Sequence, residues 1–172
     1  LVEMVQAGIL DMAKVSANTL GQFEDNYGVF SLPYLFVDQE HYYEAMASSK
    51  EIQNLFESTR DKGYIAIGYY ANGARNFYMV DDIAVTDPSV LKGKKVRAMV
   101  SSTSMEMIEL MGGSPVSMAS SETYTSLQQG IVDGAENTEL ALTVDKHEEI
   151  VKSYTYTEHQ YSPDIYIIST KT

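Results

Sequence analysis

Val96, Ala98 and Val100 alternate with Arg97 and Met99, the period of two that predicts a strand with two differently treated faces. One face reads as core. The other carries a guanidinium beside a thioether, and a charge placed there must lie at the surface, be paired, or await an anion. Upstream, Val2, Val5, Ile9 and Met12 predict the tail of a helix, with Gly8 as its C-cap, followed by a short strand over 12–16. Pro33 breaks a loop, and residues 38–61 then predict one helix that buries Tyr42, Met46, Ile52, Leu55 and Phe56 and ends near Gly63. The β-branched and aromatic run "YIAIGYY" predicts a strand, and "ANGARNFYMV" follows with Arg75 in a glycine-rich approach.

Asp87 before Pro88 predicts a capped start, and Gly93 closes that short turn ahead of the Arg97 strand. The next helix has Ser102 or Thr103 as cap, Met105, Ile108 and Leu110 or Met111 as its apolar stripe, and Gly112-Gly113 as its stop. "SPVSM" predicts a strand, "SETYTSLQQG" a helix ending at Gly130, and "IVDGAEN" a short strand with a turn. A further helix is expected from Thr138 to about Tyr154, and "SPDIYIIS" as a closing strand. Strands and helices alternate throughout, which predicts an α/β fold with mixed, mostly parallel sheets. No internal repeat or low-complexity segment interrupts it.

At 172 residues and 44% hydrophobic content, the chain can bury a sizeable core as one large domain or two small lobes. A formal charge of −12, from 24 acidic and 12 basic residues, argues against a nucleic-acid surface, which needs concentrated Lys and Arg. With no cysteine there are no disulfides, thiolate metal sites or thiol nucleophiles. No apolar run reaches the length of a membrane span.

Catalytic signatures are scarce: there is no G-x-S-x-G, H-E-x-x-H, Walker loop or G-x-G-x-x-G. His41, His147 and His159 lie far apart beside acidic or aromatic residues and read as surface histidines rather than a metal trio. Glu106 and Glu109 share a helix face that reads as solvated. An enzyme would draw on Tyr124, Glu122 or Asp133 as acid or base, yet Tyr124 and Leu127 are spaced to pack on a helix and Glu122 sits in its first turn, where a carboxylate favours the dipole. No catalytic residue, metal ligand or cofactor is assigned.

The arginines stand out because only Arg60, Arg75 and Arg97 occur. Arg75 and Arg97 both occupy positions where a planar, always-charged fork can meet a carboxylate bidentately. That carboxylate is either a ligand's or one of the protein's own, in an internal ion pair; residue pattern alone leaves both open.

The segments "VQAGILDMAKVSA", "LPYLF", "GARNFY", "LKGKKVRAM", "MEMIELMGGSPVSM", "ETYTSLQQGIVDGAEN" and "YSPDIYIIS" resemble, in order and spacing, the solute-binding subunits of TRAP transporters, the DctP-type family. The long pattern E-x-Y-x-x-L-Q-x-G-x-V-D-G-x-E-N, from Glu122 to Asn137, stands beside a K-G-x-K-x-R forty residues upstream of its asparagine. The resemblance implies a two-lobed periplasmic-binding-protein-like fold whose cleft captures a small organic acid and delivers it to TRAP permease subunits in the membrane. It implies a periplasmic location, or the extracellular face, membrane-anchored, in a Gram-positive source. An extracytoplasmic ligand-sensing domain of the same fold is the alternative.

By the same resemblance, Arg97 is the arginine that pairs with the ligand carboxylate, Arg75 that of the G-x-R segment, and Asn137 the asparagine closing the motif; Asn18 and Glu136 complete the expected ligand-binding set. Many members carry an aromatic or Pro-Phe-Gly-type segment where this chain has Ser120 and Ser121. Members also have elements before Leu1 and after Ser169, so the resemblance implies an interior portion of a longer protein. Residues 1–72 with 163–172 are expected to form a partial first lobe and 73–162 the second.

Overall fold

A computed structural model describes every residue from Leu1 to Thr172. The chain forms α1 (Val2–Ala7), β1 (Met12–Ser16), α2 (Ala17–Leu20), α3 (Gln39–Ser48), α4 (Lys50–Glu57), β2 (Tyr64–Tyr70), β3 (Ala74–Met79), β4 (Lys95–Ala98), α5 (Ser102–Leu110), β5 (Ser114–Ser117), α6 (Ser120–Gln128), β6 (Gly134–Asn137), α7 (Glu139–Val144), β7 (Ser153–Tyr161) and β8 (Asp164–Ser169), with short 3-10 turns between some of them.

Two sheets result, ordered β1-β8-β2 and β5-β4-β6-β3-β7. The chain crosses between them twice, from Tyr70 to Ala74 and from Tyr161 to Asp164. The crossings run side by side: Tyr70 is opposite Asp164 in the first sheet, and Ala74 is opposite Tyr161 in the second. Each sheet has its own apolar core. Tyr27, Phe30, Tyr64, Ile165 and Ile167 belong to the cluster on the three-stranded sheet. The five-stranded sheet is packed on both faces, with Phe77, Val96, Ala98 and Ile108 on one and Tyr78, Leu127, Val132 and Ala135 on the other.

The mixed α/β class expected from the sequence is present, and the pairing is more antiparallel than helix–strand alternation suggests. Only β4 pairs in parallel, with β5 and β6. β8 runs antiparallel to β1 and β2, and β3 antiparallel to β6 and β7. Two of these pairings follow from the double crossing: β2 leads into β3 and β7 back into β8 through adjacent connections, so β2 meets β8 and β3 meets β7 running in opposite directions.

Local signals hold at most boundaries. Gly8 caps α1 at φ 72°, and the Asp87 carboxylate accepts from the Ser89 amide at 2.9 Å ahead of the turn begun by Pro88. The cap of α5 is Ser101, one residue before the expected pair, with its Oγ accepting from the Ser104 amide. Residues 38–61 form two helices instead of one. Ser49 is extended, with φ −70° and ψ 125°, and its hydroxyl accepts from the Ile52 amide, so it ends α3 and caps α4.

The helix expected from Thr138 to about Tyr154 stops at Val144. Lys146 is left-handed at φ 58°, and β7 begins at Ser153. Tertiary pairing decides here: Tyr154 lies opposite Tyr78 and Thr155 opposite Phe77 on β3, and the aromatic and β-branched run suits a pleated surface. His147 and His159 are buried, against the expectation of surface histidines. His147 Nδ1 lies 2.9 Å from the Tyr78 hydroxyl, and the His159 ring stacks on Phe77 with centroids 4.6 Å apart. His41 is exposed.

Candidate functional site: a cavity between the two sheets

The E-N end of the long motif is built by its V-D-G start. Asp133 is bound on both sides, its carboxylate accepting from the Lys95 amide at 2.7 Å and its carbonyl accepting from the Val80 amide at 2.9 Å. Gly134 then passes so close to β3 that a Cβ would lie 2.5 Å from the Tyr78 carbonyl oxygen. These contacts set the β6 register, Asn76 opposite Asn137 and Phe77 opposite Glu136. The register delivers Glu136 and Asn137 to Arg75.

Arg75 and Glu136 form a buried ion pair, 6% and 0% exposed respectively. Arg75 Nε donates to Glu136 Oε2 at 2.6 Å, and Nη2 donates to Oε1 at 3.0 Å and to the Glu136 carbonyl at 2.9 Å. Nη1 donates to Asn137 Oδ1 at 3.0 Å. Burial alone would push the Glu136 carboxyl up, but the Arg75 charge, with His159 and the direct hydrogen bonds, outweighs it and holds the group at about 2. Such a fork-to-fork pair satisfies most of both ions' hydrogen-bonding capacity.

Arg97 is treated differently. It is 4% exposed, on the β4 face opposite Val96 and Ala98, yet no carboxylate lies within ion-pair distance. Its protein partner is one carbonyl, that of Met118, which accepts from Nη2 at 2.9 Å and from Nε at 3.3 Å. Burial lowers its pKa, and the neighbouring Glu136 charge only partly opposes this; a guanidinium nevertheless stays protonated. Nη1 donates to no protein group.

Arg97, Arg75 and Asn137 line one cavity of about 350 Å3. The five-stranded sheet and its helices also contribute Met99, Ser120, Thr138 and Asp145, while Lys14, Ser16, Ser162 and Asp164 come from around β1 and the start of β8. The cavity therefore spans the join between the two sheets. Asn137 Oδ1 is occupied by Arg75 and by the Thr138 amide at 2.9 Å, which fixes the amide so that its NH2 end is the free one.

Of the five residues the sequence nominates, the cavity brings together Arg97, Arg75 and Asn137. Glu136 lies behind them, fully buried under Arg75. Asn18 lies outside the cavity in a second, wholly polar cleft with Ser31 and Ser101; its amide donates to Ser104 Oγ at 3.4 Å and accepts from the Ser162 hydroxyl. Asp145, Asp164 and Lys14 were not nominated, since an isolated acid or lysine carries no pattern. Ser120, singled out only for lacking bulk, contributes a hydroxyl to the wall.

Known proteins share this architecture. A Salmonella typhimurium protein, uncharacterized protein YiiZ, is 46% identical over all of this chain and 52% of its own length. A solute-binding protein of Chromohalobacter salexigens is 33% identical over 95% of this chain and 48% of its own. The chain thus spans about half the length of the curated relatives it matches. Among solved structures, a TRAP periplasmic solute-binding protein from Anaerococcus prevotii with bound D-glucuronate superposes with a TM-score of 0.93 at 39% identity, covering 98% of this chain and 54% of that one. One from Sulfitobacter with bound β-D-galacturonate gives 0.93 at 35% identity, covering 99% and 56%. With the family described as bacterial extracellular solute-binding protein, family 7 (DctP) matching residues 1–172, the chain belongs to that family and has its two-lobed fold.

Proposed function

We propose that this protein is an extracytoplasmic solute receptor of a TRAP-type transporter, that it binds a small organic carboxylate in the cavity between the sheets, and that Arg97 is the anchor. One observation carries the reading: Arg97 is a buried guanidinium at the cavity wall with a carbonyl, but no carboxylate, as its protein partner. A buried charge without a counter-ion is costly, and an entering carboxylate supplies what is missing through charge-assisted, bidentate bonds. The free NH2 of Asn137 adds a neutral donor. The uronates bound by the Anaerococcus and Sulfitobacter proteins support a carboxylate ligand.

Residues 1–72 with 163–172 act as one lobe and 73–162 as the other, with the paired crossings near Tyr70 and Tyr161 as the hinge. A ligand touching both lobes favours the closed state by its differential contacts. The closed, loaded form would be what a membrane permease recognises outside the cytoplasm.

A thermal-shift screen of small carboxylates tests this, because a ligand at a hundredfold excess over its Kd stabilises the native state by about 2.7 kcal/mol. With 13 Tyr and no Trp, tyrosine emission reports unfolding. Stabilisation that disappears in Arg97→Lys supports the anchor; stabilisation that persists unchanged removes it.

A further inference from the structure

We propose that Asn72-Gly73, in the crossing between β2 and β3, is a self-modification site: the pair cyclises to a succinimide that water opens to aspartate or isoaspartate, which places a carboxylate in the cavity wall and weakens anion binding. The loss of affinity rests on the cavity being the carboxylate site; the modification itself does not. Asparagine is among the chemically labile side chains, and the residue that follows decides how easily its amide carbon is attacked. Glycine, with no Cβ, leaves its nitrogen unshielded. Only Asn72 precedes a glycine; Asn18, Asn26, Asn54, Asn76 and Asn137 precede Thr, Tyr, Leu, Phe and Thr.

The fold leaves this pair free to react. Asn72 and Gly73 lie between strands, outside both ladders. The Gly73 amide donates to no backbone carbonyl, and nothing comes within 4 Å of the place a Cβ would take. The Asn72 side chain is half-buried in the cavity wall and makes no hydrogen bond to the protein. Asp133-Gly134 is the contrast, because an aspartate before glycine can cyclise in the same way, with loss of water. There the carboxylate is held by the Lys95 amide at 2.7 Å, and Gly134 is paired in β6 with Met79 and Val96. One pair is locked and the other is open.

In the reaction the Gly73 nitrogen bonds to Asn72 Cγ, the Cγ–NH2 bond breaks, and ammonia leaves with the proton that the Gly73 amide gave up. Water then adds to one of the two ring carbonyls and reopens the ring, and the new acid group releases one proton. A neutral amide has become a negative charge. The cavity wall is more negative by one whatever else lines it. Arg75, Arg97 and Lys14 line the same cavity, so the new carboxylate repels an entering anion and competes with it for cationic partners. Opening to isoaspartate also adds a backbone carbon to one of two adjacent crossings, whose ends are fixed by Tyr70 opposite Asp164 and Ala74 opposite Tyr161.

Incubation of the purified, folded protein in mildly alkaline buffer, where the amide nitrogen is more readily deprotonated, tests the assignment when followed by ion exchange and peptide mass spectrometry. An acidic species should appear, converted at Asn72 before any other asparagine, with an isoaspartyl methyltransferase labelling its isoaspartate fraction and Asp133 left unisomerised. Titrated calorimetrically with D-glucuronate, that species should bind at least about tenfold more weakly than fresh protein. Asn72→Asp should reproduce most of the loss. Asn72→Gln, whose longer side chain cyclises far more slowly, should form no acidic species at this position and should hold its own starting affinity through the incubation. Conversion of another asparagine first overturns the proposal, as does an acidic species that binds as tightly as fresh protein. If fresh protein binds no carboxylate, the receptor reading and the loss of affinity fall together, while conversion at Asn72, read by mass, decides the modification site on its own.

Discussion

Arg75 and Arg97 stand on the same sheet and line the same cavity, but the fold uses them in opposite ways. Arg75, on β3, is locked to a fully buried carboxylate of the protein itself. Arg97, on β4, has been taken out of water with one backbone carbonyl as its partner. The difference follows from which strand lies beside each: β6 brings Glu136 and Asn137 to β3, while on the β4 side the register sets Ala135 opposite Arg97. A guanidinium with its counter-ion built in contributes integrity; one without it keeps an electrostatic need that a ligand can meet.

The comparison breaks first at Glu136. Glu136→Ala leaves Arg75 buried and unpaired and should cost about 3–5 kcal/mol of unfolding free energy in denaturant melts. Adding Arg75→Met should restore much of it, because the orphaned charge goes with it. A loss under about 1 kcal/mol would mean that Arg75 finds water or another partner.

Acid provides a second probe of the same pair. Glu136 titrates near 2, below its ordinary 4.5, so it binds its proton more readily unfolded than folded. Its stabilisation is therefore complete above about pH 5 and is lost as pH falls toward 2, amounting to roughly 3 kcal/mol. Melts across that range should show the slope in the wild type and lose most of it in Glu136→Gln.

Arg97→Lys keeps the charge and removes the fork. It should cost about 2 kcal/mol of carboxylate binding while the ligand-free unfolding midpoint stays nearly unmoved. Destabilised protein with intact affinity would reverse the roles of the two arginines. The smallest expected effect is that of Asn137→Asp. Arg75 Nη1 already donates to the Oδ1 position, so the fold should tolerate the change, but the ligand loses an NH2 donor and gains a like charge, weakening binding by about 1 kcal/mol. An unchanged affinity in calorimetry would take Asn137 out of the site.

Much of the fold was legible because its signals are local. Gly8, the Asp87-Pro88 pair and the glycines after α5 mark boundaries through backbone geometry that does not depend on distant partners. Ser49 and the α7–β7 region depart from the pattern in the sequence for the converse reason. The first is a polar residue that can cap either way, and the second becomes a strand through its pairing with β3. The long motif located the cavity wall, and its steric logic at Gly134 and Asp133 emerges only when β3, β4 and β6 are adjacent.

From sequence alone, the alternation around Arg97 implied a charge needing an explanation, and the family pattern named a candidate anchor. Tertiary structure decided which arginine already had its carboxylate, because Glu136 and Arg75 are 61 residues apart and meet only through the β3–β6 register. It also set Asn18 in a separate polar cleft and drew Lys14, Asp145 and Asp164 into the cavity. Periodicity reports which face a side chain takes within its own element; what that face meets is determined by how strands from distant parts of the chain pair.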